Sequence, residues 1–171
     1  MIDNNDISIR KADIKDIEDI YNIQIASYPG QYHETQATLA GKLAKKNAIC
    51  YVAICNNVIA GYLLSYPEEE NYTSNLHEES LKDNNTSQKI FSIWYLHDIA
   101  VHPSFNGRNI AKKLYHIALE EAKTLNLKKS KLVAVQNAAA FWTKLGYQEI
   151  AKPDANAGYS SEAIIMEKEL I

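Results

Sequence analysis

The residues best suited to chemistry lie between Tyr95 and Leu114, where a strand leads through a turn into a helix. His97 and Tyr95 are two residues apart on the strand, so we expect their side chains to share a face and Asp98 to point the other way. An imidazole accepts protons near neutral pH, which makes His97 a candidate general base. A buried histidine with satisfied hydrogen bonds is the structural alternative, and Tyr95 is either a proton relay or a packing residue.

The turn after this strand has the makings of an anion site. Residues 106–111 read Asn-Gly-Arg-Asn-Ile-Ala and enter a helix, whose first amide groups and dipole attract negative charge. Every strand–helix unit has such a junction and most of them bind nothing. The segment alone therefore leaves the presence of a ligand open.

Composition narrows the classes of function. The 171 residues suit one domain, 1–171, and the net charge of −3 argues against a protein that binds nucleic-acid phosphates. The longest apolar stretch, 48–55, is far shorter than the roughly 20 residues of a membrane helix. Cys50 and Cys55 lie at odd spacing on one strand, which excludes a disulfide between them. No metal-ligand pattern accompanies them, and the acidic start resembles no signal peptide. We expect a cytoplasmic protein without membrane, nucleic-acid or metal partners.

Hydrophobic periodicity predicts an α/β fold with the order β-α-α-β-β-β-α-β-α-β-β, a mixed and mostly antiparallel sheet flanked by helices. The predicted strands are 7–11, 48–55, 58–66, 92–102, 131–136, 147–151 and 159–168. The predicted helices are 14–27 (with Asp13 as N-cap), 35–46, 108–126 and 137–145. Asn56-Asn57 is a hairpin turn, since asparagine tolerates positive φ. The polar residues 67–90 are a long loop.

Two segments resemble the acetyl-CoA motifs of the GNAT superfamily of N-acetyltransferases. Val101-His-Pro followed by Asn106-Gly-Arg-Asn-Ile-Ala111 is similar to the first motif, in which turn amides hold the CoA pyrophosphate. Ala138-Ala-Ala-Phe-Trp-Thr-Lys-Leu-Gly-Tyr147 is similar to the second. The order of elements agrees with that family from residue 7 to 168. The resemblance implies a GNAT-like single domain that uses acetyl-CoA as co-substrate and no metal.

A narrower resemblance concerns the acceptor. Tyr95-Leu-His-Asp-Ile-Ala-Val-His-Pro103 is similar to a strand of the arylalkylamine (serotonin) N-acetyltransferases, where two histidines serve as base and proton relay. His97 falls on the second position and Tyr95 replaces the first. This implies acetyl transfer by direct attack of a small primary amine, either arylalkylamine-like or polyamine-like.

The resemblance also assigns binding roles. The acceptor would lie near the loop residues Tyr28, His33 and Glu34. The co-substrate would contact the strand backbone and the turn amides, namely Ile99, Ala100, Val101, Asn106, Gly107, Arg108, Asn109, Ile110 and Ala111, together with Asn137 and Trp142.

Three of these positions depart from the family pattern. Asn106 stands where the family often has Arg or Gln, and Asn109 where it prefers a second glycine, so we expect Asn109 to crowd the phosphate turn. Arg108 could supply a phosphate contact in their place. Trp142 replaces the tyrosine that protonates the departing thiolate, and an indole N–H is not a useful acid.

The charge pattern and the departures from the family motifs leave more than one function open. Residues 67–90 carry six acidic residues against two lysines, and 108–131 carry seven basic against two acidic. This predicts a basic side for CoA phosphates and an acidic mouth for an amine. A protein acetyltransferase acting on N-termini or lysines would need an open peptide groove instead. A non-catalytic acetyl-CoA-binding module is favoured by the missing tyrosine, and the sequence leaves a homodimer open.

Overall fold

The computed structural model describes residues 6–72 and 89–171. The strands are β1 (Ile7–Lys11), β2 (Tyr51–Cys55), β3 (Val58–Glu68), β4 (Ile93–Val101), β5 (Lys129–Ala134), β6 (Gln148–Ala151) and β7 (Ile164–Glu169). The helices are α1 (Ile17–Ser27), α2 (Gln36–Leu43), α3 (Ile110–Thr124) and α4 (Ala139–Lys144). Single 3₁₀ turns occupy Ile14–Asp16, Gly30–Tyr32 and Pro103–Phe105. The predicted order of elements is confirmed.

The strands form one seven-stranded sheet in the order β1-β2-β3-β4-β5-β7-β6. Neighbouring strands are antiparallel except β4 and β5, which are parallel. The prediction of a mixed, mostly antiparallel sheet is therefore confirmed. The parallel pair is possible because α3 carries the chain back to the starting edge of β4.

Helices cover both faces of the sheet because each presents apolar side chains at helical spacing. On one face, Ile20 of α1 and Leu39 of α2 are buried against Tyr62 of β3. On the other, Leu114 and Ala118 of α3 pack with the core that includes β4, β5 and α4. A functional side chain on β4 can therefore face either helical layer.

Local signals account for several element ends. The Asp13 carboxylate accepts the Lys15 N–H, and the Asp16 carboxylate accepts the Asp13 N–H at 2.7 Å, which completes a capping box. Asn56 and Asn57 have φ of 52° and 64°, as a two-residue hairpin turn with positive φ requires. Both predictions from the sequence are confirmed.

Two helices begin later than predicted because the preceding residues are left-handed. Asn109 has φ of 58°, so α3 begins at Ile110 and not at 108. Gln136 and Asn137 have φ of 53° and 62°, so α4 begins at Ala139 and not at 137. An α-helix cannot contain residues with positive φ.

Other boundaries also differ. The last strand begins at Ile164 and not at 159, because the Ala163 N–H closes a turn on the Ser160 carbonyl. Helix α2 ends at Leu43, β5 begins at Lys129, and β3 continues to Glu68.

Most of the predicted acidic loop, 73–88, lies outside the described residues. No helix within 6–72 and 89–171 is long and apolar enough to cross a membrane.

Strands β4 and β5 stay together for only three residue pairs. Ile93, Trp94 and Tyr95 are opposite residues 129–131, and no later residue of β4 pairs with β5. The second half of β4 is therefore separated from β5. This parting opens the middle of the sheet between its two helical layers.

Gly61 allows α3 to approach the sheet beside this opening. A Cβ at this position would lie 2.9 Å from the Ala100 carbonyl oxygen and 3.2 Å from Ile110 Cγ2. We expect Gly61→Ala to lower the free energy of unfolding in urea by about 1–3 kcal/mol through overpacking. Gly30→Ala, where a Cβ meets nothing within 4 Å, should change it by less than about 0.5 kcal/mol. Equal stabilities of the two variants would contradict this close approach.

Candidate active site

A cavity of about 300 Å³ lies where β4 and β5 part. Elements from both faces of the sheet contribute to its wall. A polar group comes mainly from β4 and the loops, namely Tyr28, Tyr32, Glu34, His97, Asp98 and Tyr159. A mainly apolar group comes from β4, β5, α3, α4 and the β5–α4 loop, and includes Ile99, Ala111, Val133, Val135, Phe141 and Trp142.

A β-bulge in β4 brings two titratable side chains to the same face. Leu64 of β3 is opposite Asp98 and Ser65 is opposite Leu96, so His97 is an extra residue without a partner on β3. The side chains of His97 and Asp98 consequently reach partners on the α1–α2 side. The expectation that they point to opposite faces is wrong, because the bulge interrupts the alternation of the strand.

His97 forms a buried pair with Glu34. The His97 Nε2 and Glu34 Oε1 atoms are 2.5 Å apart, and each side chain is only 2% exposed. Within the described part of the chain, His97 Nδ1 is buried and has no hydrogen-bond partner. When Nε2 carries the proton and donates it to Glu34, Nδ1 retains a lone pair that can accept a proton.

The backbone of Glu34 is held by Gln24 of α1. The Gln24 side chain donates to the Glu34 carbonyl oxygen at 2.9 Å and accepts the Glu34 N–H at 3.0 Å. Gln24 is 1% exposed. Directly after Glu34, the Thr35 hydroxyl caps α2 by accepting the Thr38 N–H. These bonds fix the carboxylate beside His97.

Asp98 is in contact with two tyrosine hydroxyls. Its Oδ1 lies 2.7 Å from Tyr28 Oη and its Oδ2 lies 2.5 Å from Tyr62 Oη. Burial raises the pKa of the Asp98 carboxyl, and it raises the pKa of both tyrosines well above the ordinary value. The Tyr28 hydroxyl is also 2.9 Å from the Ile99 carbonyl oxygen, so this cluster connects the α1–α2 loop to β4.

The free edge of β4 offers backbone donors to a ligand. The His102 N–H bonds to Ala60 of β3 at 2.8 Å, so Ala100, two residues before it, also faces β3. Ile99 and Val101 then direct their N–H and C=O groups to the opposite edge. Beyond Tyr95, that edge has no pairing with β5.

The start of α3 offers further donors. The first helical bond of α3 runs from the Lys113 N–H to the Asn109 carbonyl, so the N–H groups of Ile110, Ala111 and Lys112 precede it. Gly107 and Asn109 have φ of 80° and 58°, which shapes the turn before the helix. Ala111 lies in the cavity wall. This end of the site suits a phosphate-bearing ligand.

A family model describes this arrangement. The acetyltransferase (GNAT) family matches residues 17–147. The chain belongs to the acetyltransferase (GNAT) family. Acetyl-CoA is therefore the co-substrate, and the expectation of a GNAT-like fold is confirmed.

Solved structures share this acetyltransferase fold at low sequence identity. The ribosomal-protein-S18-alanine N-acetyltransferase of Escherichia coli is 17% identical with a TM-score of 0.70, over 96% of this chain and 94% of that one. Ard1 of Thermoplasma volcanium is 17% identical with a TM-score of 0.73, over 97% and 99%. The PaiA N-acetyltransferase of Thermoplasma acidophilum, in complex with coenzyme A, is 17% identical with a TM-score of 0.68, over 95% and 98%. No curated protein matches this chain.

Several residues predicted for the GNAT site lie in the cavity wall. They are Tyr28, Glu34, His97, Ile99, Ala111 and Trp142. Ala100 instead packs with the opposite core, because its side chain alternates with that of Ile99. The turn residues 106–110, with Val101, lie outside the wall.

Four predicted side chains are directed elsewhere. Tyr95 is 1% exposed and packs behind His97, with ring centroids 6.5 Å apart, so it does not line the cavity. The His33 Nε2 lies 2.5 Å from the Tyr28 carbonyl oxygen and turns away from the acceptor side. The Arg108 guanidinium donates to Cys55 Sγ at 3.2 Å and covers the ring of Phe105, so it is engaged outside the cavity wall. Asn137 is outside the wall between Gln136 and Ala138, which line it.

Sequence reasoning missed part of the wall. Tyr32 and Tyr159 enter from separate loops, and Gln136 and Phe141 from the β5–α4 region. Phe141 belongs to the segment 138–147 that resembles the second acetyl-CoA motif, so the sequence did point to a role for it in the site. No sequence pattern points to Tyr159, because its position depends on how the β6–β7 loop folds back. Among the described residues, no group of three or more His, Cys, Asp or Glu side chains could hold a metal ion.

Substitutions at Asn109 test whether the left-handed backbone or the asparagine side chain matters to acetyl-CoA binding. Asn109→Gly should preserve stability and tighten CoA binding, since glycine adopts positive φ freely and removes the side chain. Asn109→Ala should cost about 1 kcal/mol in urea unfolding. Calorimetric titration with CoA measures the affinity of each variant.

Asn126 is the matched control, because it also has φ of 58° but follows the far end of α3. Asn126→Gly should leave CoA affinity unchanged. Weaker CoA binding by Asn109→Gly would show that the asparagine side chain is itself a ligand contact.

Proposed function

We propose that this GNAT acetyltransferase transfers the acetyl group of acetyl-CoA to the primary amine of a small cationic molecule. The observation that carries the proposal is the buried Glu34–His97 pair in the wall of the cavity where β4 leaves β5. It supplies a proton acceptor beside the strand edge that can hold a thioester. The proposed acceptor remains a small amine of the arylalkylamine or polyamine kind.

His97 would prepare the amine for attack. An alkylammonium with a pKa of about 10 is almost entirely protonated at neutral pH, and its nitrogen has no lone pair. With Nε2 held by Glu34, Nδ1 is the atom that accepts the proton, directly or through one water. Glu34 then stabilises the resulting imidazolium, as a carboxylate does beside a catalytic histidine. The neutral amine nitrogen is left free to attack the carbonyl carbon.

The strand backbone would stabilise the attacked carbonyl. The Ile99 N–H, at the free edge of β4, can donate to the oxyanion as the nitrogen–carbon bond forms. When the carbon–sulfur bond breaks, sulfur leaves with the electron pair, and the second amine proton goes to sulfur or solvent. Trp142 lines the cavity and can pack against the thioester arm, without acting as an acid.

Charge and closure of the cavity support a small cationic acceptor. The cavity's negative charge comes from Glu34, and its described wall also contains the polar groups of Asp98 and three tyrosines but no lysine or arginine. The Tyr32 hydroxyl donates to Ser160 Oγ at 2.9 Å and so ties the α1–α2 loop to the β6–β7 loop. A polypeptide needs a groove that stays open between such loops, whereas a small amine can be enclosed. The cytoplasmic location and a possible dimer stay predictions.

The acceptor class can be tested by turnover. With acetyl-CoA, we expect release of free CoA in the presence of arylalkylamines or polyamines, and little release with peptides that offer an N-terminus or a lysine. Mass spectrometry of the products confirms that the amine is acetylated. Preferred turnover of peptides would assign the chain to the protein acetyltransferases. Acetyl-CoA binding without turnover of any acceptor would make it a binding module.

The catalytic pair can be tested by substitution. His97→Ala should lower kcat/KM for the amine by roughly 10²–10⁴-fold, and the loss should shrink at high pH, where more amine is already neutral. Glu34→Gln keeps a hydrogen-bonding group but loses the charge. Its expected loss is about 10- to 100-fold, the worth of one hydrogen bond to a charged partner.

His116→Ala is the matched control, since His116 is exposed on α3 and outside the cavity wall. It should behave as the parent does, and CoA affinity should be similar in all three variants. Full activity of His97→Ala would remove His97 from the mechanism.

A further inference from the structure

The hydroxyl of Tyr28 lies between two oxygen acceptors. Tyr28 Oη is 2.7 Å from Asp98 Oδ1 and 2.9 Å from the Ile99 carbonyl oxygen. Both distances are those of real hydrogen bonds. A phenol has only one proton to donate, so it cannot serve both acceptors if both lack protons.

Counting protons over the whole cluster shows what is missing. The three contacts are Tyr62 with Oδ2 of Asp98, Tyr28 with Oδ1, and Tyr28 with the carbonyl of Ile99. If Asp98 is ionised, two phenol protons must serve three oxygen–oxygen contacts, and one contact sets lone pairs against each other. If Asp98 is protonated on Oδ1, every contact has its own proton.

The neighbouring charges favour the same assignment. Glu34 and Asp98 both line the cavity, and His97 is the one basic side chain among the described residues of its wall. The carboxylate of Glu34 already brings one negative charge to this wall, 2.5 Å from His97, and like charges disfavour a second ionised group nearby. A second charge at Asp98 would remain uncompensated in a buried position, which is costly.

We propose that Asp98 is held as the neutral carboxylic acid and is a positioning residue, which donates to Tyr28 so that the Tyr28 hydroxyl donates to the Ile99 carbonyl. The protonation state of Asp98 is inferred from the hydrogen-bond geometry alone, whereas its effect on catalysis rests on the proposed function. Through this chain the acceptor loop is fastened to the residue whose N–H faces the thioester. Burial raises the pKa of the Asp98 carboxyl, which agrees with this assignment.

The neutral state also matters to His97. An ionised Asp98 would place a second negative charge beside the imidazole that already faces Glu34. The groups facing this region are Glu34 from the α1–α2 loop, Tyr28 at the end of α1, Tyr62 from β3 and His97 itself. With Asp98 neutral, Glu34 is the only carboxylate that acts on His97 from among them, and the acceptor's cation meets one negative charge.

Asp98→Asn separates the two states of Asp98. An asparagine side chain reproduces the neutral acid, with N–H donating to Tyr28 and C=O accepting from Tyr62. The infrared difference spectrum at pH 7 between the parent and this variant should contain the carbonyl stretch of one protonated carboxylic acid. Loss of a carboxylate band instead would overturn the proposal. This measurement does not require turnover, so it decides the state of Asp98 even if the proposed function fails.

Kinetics then test the positioning role. Asp98→Asn should leave the acid limb of the pH–rate profile in place. Tyr28→Phe removes the hydroxyl from the Ile99 carbonyl and should lower kcat by roughly 10- to 100-fold. A shift of the acid limb to lower pH in Asp98→Asn would show that the parent carries a charge there. Parental activity of Tyr28→Phe would contradict the positioning role.

Discussion

The early parting of β4 from β5 is the constraint on which the site depends. A strand in the middle of a sheet normally bonds to neighbours on both edges, and a buried backbone group left without a partner is costly. After Tyr95, β4 keeps its partner on the β3 side only. On the other edge, the Ile99 carbonyl accepts from Tyr28 and the Val101 carbonyl from Ser27, so it is the N–H groups of these residues that are left for a ligand or water. Such an edge suits an extended, amide-bearing molecule, as the pantetheine arm of CoA is.

The bulge at His97 brings two titratable side chains, His97 and Asp98, to the same side of this opened strand. Without the extra residue, alternation would place His97 and Asp98 on opposite faces, and only one of them could meet the acceptor loop. With it, His97 reaches Glu34 and Asp98 reaches Tyr28. Two consecutive residues thus hold two points of the same loop. The loop in turn is fixed to α1 by the two hydrogen bonds between the Gln24 side chain and the Glu34 backbone, which gives the proposed base a defined geometry.

The order of elements and the capping box before α1 could be predicted because both depend on local signals. Apolar periodicity located α1 and α3, and the capping box of Asp13 is a property of four neighbouring residues. The pairing of His97 with Glu34 could not be predicted, since it joins residues 63 positions apart in the sequence. Nor does the sequence reveal a bulge, because the run from Trp94 to Val101 is compatible with an unbroken strand.

Asn109 illustrates a signal that can be interpreted in two ways. From the sequence, it is a departure from a glycine and a source of crowding at the phosphate turn. In the structure its φ of 58° gives a reason for the residue type, since asparagine tolerates the left-handed conformation better than most other residues. The backbone need that glycine meets in the resembled motif is therefore met here as well. Whether the extra side chain crowds a ligand is a separate question from whether the turn forms.

The distribution of titratable groups around the cavity matches the difficulty of each chemical step. A lysine-like amine with a pKa near 10.4 is neutral in about one molecule in 2,500 at pH 7, so removing its proton limits the supply of nucleophile. A thiol with a pKa near 8.5 is a far better acid, and its thiolate departs at neutral pH without protonation. In the proposed mechanism, Glu34 and His97 act on the first step, the removal of the amine proton. At the second it has Trp142, which is 5% exposed and packs edge-on against Phe141 and Tyr147. In that mechanism an indole in place of an acid on the sulfur side is compatible with turnover, because the harder proton transfer is the one on the amine side.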